Sequence, residues 1–113
     1  MTGIKRAFTE VAGSVQASTN AYAMLGVVLD CRAANSVALT VINADQTITY
    51  KVQGANRSTF ADAVEVQAPA DLAAAAIGYY ASASPVYAYY RVMIIDKVGG
   101  THGNAVMTAI VKG

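Results

Sequence analysis

Residues 36–53, SVALTVINADQTITYKVQ, constrain this chain more than any other stretch. Val37, Leu39 and Val41 alternate with Ala38, Thr40 and Ile42. After NADQ, Ile48, Tyr50 and Val52 alternate with Thr47, Thr49, Lys51 and Gln53. A period of two places successive side chains on opposite faces, as in a strand with one dry and one wet face. Asn43 and Asp45 suit the intervening turn, because their side chains bond nearby backbone groups. The segment predicts a β-hairpin.

The same pattern recurs along the chain. Residues 22–32 read as a mostly buried strand, with Gly26 a bulge or a point of close approach. Residues 62–67, DAVEVQ, alternate as a short strand. In 86–111, Tyr87, Tyr89, Arg91, Met93 and Ile95 share one face of a strand, and Ala88, Tyr90, Val92 and Ile94 the other. Val106, Thr108 and Ile110 then alternate with Ala105, Met107, Ala109 and Val111. The one helical candidate is 68–80, APADLAAAAIGYY: Pro69 fits a first turn, the alanines favour helix, and Gly78 would end it. Short strands separated by turn residues predict an all-β chain, an antiparallel β-sandwich or barrel-like fold with at most one short helix. Residues 1–20 read as an N-terminal arm or first strand, and 21–113 as the β-sandwich domain.

Charge is scarce. Only 13% of the 113 residues are Asp, Glu, Lys or Arg, about half the usual share for a soluble domain. Residues 11–29, 33–44, 72–90 and 98–111 have none. So small a domain cannot internalise all of these stretches, so part of the uncharged exterior is expected to lie against protein, as a homo-oligomer or with other subunits. The net charge of +1 argues against nucleic acid as the main partner. The longest apolar run, 21–29, is too short to span a bilayer, and the opening residues have no signal-peptide pattern. A soluble protein made in a cytoplasm is expected, with no membrane partner.

Candidate chemical sites are few. GGTHGN (99–104) holds the only histidine, His102, but lacks the lysine and hydroxyl of a phosphate-binding loop. Its glycines and Asn104 are what a bend needs. One histidine and one cysteine do not make a zinc centre, and no nucleophile elbow is present. Cys31 ends an apolar run and reads as a buried, inert thiol. Arg91 interrupts an apolar strand and calls for an ion pair with Asp96, Asp30 or Glu65. NRS (56–58) is a formal glycosylation acceptor with no secretory signal to use it. No catalytic residue, metal ligand or cofactor is expected, and the chain reads as a non-enzyme. Five of the seven tyrosines, Tyr79, Tyr80, Tyr87, Tyr89 and Tyr90, cluster in sequence as core or interface anchors.

The stretch YAYYRVMIIDKVGGTHGNAVMTAIVKG (87–113), with ALTVINADQTITYKV (38–52) upstream, resembles small β-rich structural proteins of tailed-bacteriophage virions. The resemblance covers about half the chain and leaves residues 1–20 without a counterpart. It implies a virion protein that clamps neighbouring capsid subunits as a decoration (cement) protein, or a neck or tail component. No catalytic residue comes with it. A carbohydrate- or receptor-binding sandwich module is the other reading the tyrosines leave open.

Overall fold

The computed structural model describes residues 8–16, 21–83, 85–97 and 103–112. Eight strands follow one another: β1 (Phe8–Gln16), β2 (Ala23–Asp30), β3 (Ser36–Asn43), β4 (Ile48–Ala55), β5 (Val64–Leu72), β6 (Ile77–Ser82), β7 (Tyr89–Asp96) and β8 (Asn104–Lys112). They form two four-stranded antiparallel sheets, the first in the order β1-β8-β3-β6 and the second β2-β7-β4-β5. This order is that of an eight-stranded jelly roll, a β-sandwich.

Alternation decides what lies between the sheets. Val37, Leu39 and Val41 of β3 and Ala105, Met107 and Ala109 of β8 point inward from the first sheet. Leu25 and Leu29 of β2, Ile48, Tyr50 and Val52 of β4, and Tyr90, Val92 and Ile94 of β7 point inward from the second. These side chains form a single buried cluster.

The strands foreseen at 36–53 and 86–111 are present, but their pairing differs from a hairpin. β3 and β4 lie in opposite sheets, as do β7 and β8. β3 pairs with β8 and β6, and β4 with β7 and β5. Alternation fixes which face of a strand is buried, not which strand lies beside it. Here the two apolar faces meet across the core.

The turn residues of 43–46 serve this crossing. Asn43, fully buried, donates from Nδ2 to the carbonyls of Gln46 (2.6 Å) and Leu72 (2.8 Å). Asp45 Oδ1 accepts from the Gln46 and Asn104 backbone N–H groups, and its Oδ2 accepts from Asn104 Nδ2. The β3–β4 turn is thereby fastened to the start of β8.

The helix expected within 68–80 is not formed. β5 runs through Leu72, a turn at 73–76 places Ala75 at φ 62°, and β6 follows. Pro69 sits in β5, at the edge of its sheet, where a missing N–H is tolerated, and the β4–β5 register shifts between Tyr50 and Val52. Burial of Leu72 outweighs the helical preference of the alanines.

Gly26 meets both expectations placed on it. It has φ +76°, lies where the β2–β7 register shifts between Leu25 and Leu29, and abuts Gly13 of β1.

Candidate assembly surface

Charge is segregated between the outer faces of the two sheets. On the second sheet, Lys51 pairs with Glu65 (2.9 Å) and Lys97 with Asp71 (3.1 Å), which also accepts from Thr49 Oγ1 (3.0 Å). At its rim Arg32 makes a two-pronged contact with Asp30 and lies over the Tyr89 ring. Arg91 Nε donates to Gln53 Oε1 (2.8 Å) and the guanidinium stacks 4.2 Å from the Phe60 ring centre. The expected ion pair of Arg91 is thus replaced by an amide and an aromatic face. Asp30 and Glu65 are engaged elsewhere, and Arg91 keeps its charge near water beside its cross-strand neighbour Gln53.

Three strands of the first sheet are bare by contrast. β3 and β6 contain no charged residue, and β8 only Lys112 at its last position. The cross-strand register sets the outward residues in three rows: Ile110, Ala38 and Ala81; Thr108, Thr40 and Tyr79; Val106, Ile42 and Ile77. Four of these are large apolar groups left open to solvent: Tyr79 is 66% exposed, Ile77 47%, Val106 42% and Ile42 39%. An open groove of about 220 Å³ runs between Ala38, Thr40, Tyr79, Ala81, Thr108 and Ile110. Its polar side chains are threonine and tyrosine hydroxyls, with no carboxylate, amine or imidazole in the lining, so it offers shape and apolar contact rather than acid–base chemistry.

The sequence feature behind this face is the set of charge-free stretches. Residues 33–44 supply β3, 72–90 supply β6, 98–111 supply most of β8, and 11–29 supply most of β1. The topology gathers these four strands into one sheet, while the rest of 11–29 supplies β2 of the other.

No protein-family model matches the chain, and no curated protein is similar to it in sequence. Solved structures do share its architecture. The chain is similar to PirA, known from a crystal structure, at 11% identity and a TM-score of 0.55, over 93% of this chain and 95% of that one. It is also similar to a protein of Bacillus endospore appendages, described as a novel family of disulfide-linked pili, at 12% identity and a TM-score of 0.54, over 94% of this chain and 87% of that one. The likeness is one of fold. It bears out the β-sandwich over nearly the whole chain.

The five tyrosines are not brought to one place. Tyr79 stands on the bare face. Tyr80 and Tyr87 flank the buried Tyr90, each with its ring centre 6.1 Å away, at one end of the core. Tyr90 Oη accepts from the backbone N–H groups of Val86 (3.2 Å) and Tyr87 (3.4 Å), so this cluster holds the approach to β7. Burial pushes the Tyr80 hydroxyl pKa up. Tyr89 lies on the opposite sheet under Arg32. Sequence reasoning named Tyr79 but not Ile42, Ile77 and Val106; their signal was an apolar residue at the outward position of an alternating run.

His102 lies outside the described residues. Among the described residues, no three His, Cys, Asp or Glu side chains gather as a metal site. Cys31 is buried, with its N–H bonded to the Ala88 carbonyl, and desolvation, helped by the Asp30 charge, pushes its thiol up to about 11.

Proposed function

We propose that the chain is a non-enzymatic structural subunit of a tailed-phage virion. It lies as a decoration (cement) protein across neighbouring capsid subunits, with the bare sheet inward. The observation that carries this reading is the uncharged outer face of β8, β3 and β6, beside a second sheet that wears the ion pairs. Interface cores are depleted in charge, and a contiguous apolar patch on a small domain marks a contact surface. The resemblance of 38–52 and 87–113 to virion proteins supplies the particle.

The endospore-appendage neighbour supports assembly on a common sandwich plan, but by other means. Its pili are disulfide-linked, whereas this chain has one cysteine, and that is buried. Cohesion here rests on apolar burial. A glycan platform finds less support, since Tyr80 and Tyr87 are tied to Tyr90 and only Tyr79 of the five stands on the bare face.

The test is sedimentation of intact particles from producing cells through a density gradient, with mass spectrometry of each fraction. The chain is expected in the particle band. Ile42→Asp, which sets a carboxylate on the face between Val106 and Ile77, is expected to weaken attachment by about 3 kcal/mol, roughly a hundred-fold. A chain found only in the unassembled fraction, or an Ile42→Asp variant attached as well as the parent, overturns the reading.

A further inference from the structure

Each sandwich sheet has two outer strands, and an outer strand is a template for pairing unless something blunts it. Three of the four are blunted here. β1 and β2 close against each other through Gly13 and Gly26, β1 carries Glu10, and β2 bends at its bulge. β5 has Glu65, Pro69 and Asp71, and its register with β4 shifts twice. β6, IGYYAS, has no charge, no proline and no irregularity: six successive residues pair with β3 from Ile77–Ile42 to Ser82–Val37.

We infer that two copies of the chain join edge to edge through β6, antiparallel, about a two-fold axis at Tyr79. An axis normal to the sheet keeps outer side chains opposite outer ones, so only registers pairing like faces are allowed. With Tyr79 opposite Tyr79, Ile77 lies opposite Ala81 on the outer face and Gly78 opposite Tyr80 on the inner face. Ile77 then meets a small residue, and the two Tyr79 rings, 66% exposed, meet as an aromatic cross-strand pair on the axis. Moving the axis to Tyr80 would instead need a pair of rings that are part-buried and already packed on Tyr90. The Tyr79 register also brings no like charges together. The bare outer faces of β8, β3 and β6 in the two copies become one continuous surface.

The inference deepens the subunit reading and rests on it for expecting a second copy. Five residues of each β6 pair in this register, a small contact, so association is expected to depend on concentration. In sedimentation equilibrium of the full chain, the weight-average mass is expected to rise from 11.7 kDa toward twice that value, and Tyr79→Lys, with like charges on the axis, to hold it at the monomer.

Register is read by cross-linking. Tyr79→Cys places two Cβ atoms about 5 Å apart and is expected to oxidise rapidly to a covalent dimer. Ala81→Cys alone is expected not to, but to cross-link when mixed with Ile77→Cys. A mass fixed at the monomer, an unaffected Tyr79→Lys variant, or Ala81→Cys linking as fast as Tyr79→Cys overturns the inference. A monomeric chain that still attaches to particles through Ile42 sinks the edge pairing and leaves the subunit reading standing; a β6-linked dimer found on no particle does the reverse.

Discussion

Gly13 of β1 and Gly26 of β2 meet backbone to backbone where the edges of the two sheets come together, and a Cβ added to Gly13 would overlap the Cα of Gly26. The obstacle is main chain, which cannot rotate away as a side chain can. Gly13→Ala is therefore expected to push the two edges apart and cost about 1–3 kcal/mol. The check is a melting temperature lowered by several degrees. An unchanged melt means the edges can separate freely.

Asn43 ties three segments together with one amide. Its Nδ2 bonds the Gln46 carbonyl beyond β3 and the Leu72 carbonyl at the end of β5. Asn43→Ala leaves the Leu72 carbonyl without that donor in a buried setting and is expected to cost about 2–3 kcal/mol in urea denaturation. Asn43→Asp, an acceptor facing acceptors, is expected to be worse than Ala.

Acid should act through three aspartates whose pKa values all lie below the ordinary 3.8: Asp45 through the Asn104 backbone N–H, Asp30 through the Arg32 side chain, and Asp71 through Lys97. A carboxylate with a depressed folded-state pKa contributes its stability above the unfolded value and loses it as pH falls through the folded one. Denaturation midpoints are expected to fall only below about pH 4, where the unfolded chain takes up protons first. Asp45→Asn, which cannot titrate, is expected to make that fall shallower. A midpoint that declines already near neutrality contradicts the assignment.

Cys31 offers a probe of the native core. With its thiol raised from 9.0 to about 11, it carries about a hundred-fold less thiolate than an ordinary cysteine at the same pH. Reaction with a disulfide reagent at pH 8 is expected to be slow in the native chain and fast in denaturant. Rapid native labelling would mean that the β2–β3 connection opens readily.

Which side chains point inward was legible residue by residue, because alternation in 36–53 and 86–111 is a local property of an extended chain. Val37, Leu39, Val41, Ile48, Tyr50, Val52, Tyr90, Val92 and Ile94 are all buried. Neighbour relations were not legible: β3 beside β8 joins residues some seventy positions apart, and nothing local favours that partner over β4. The Ala-rich stretch at 72–76 misled for a related reason. Helix propensity acts within a segment, whereas Leu72 and Gly78 are placed by Asn43 and by the Tyr50 ring that lies against Gly78. The charge-free stretches were legible one by one, but that 33–44, 72–90 and 98–111 meet side by side as β3, β6 and β8 is a property of the jelly-roll winding.

The asymmetry between the two sheets also sets a limit on growth. A plate that adheres by its dry side presents its hydrated, ion-paired side to whatever comes next. A second layer would have to strip Lys51–Glu65 and Lys97–Asp71 of water for little return. A coat built as proposed above would thus be self-terminating at one molecule's thickness, without any separate stop signal.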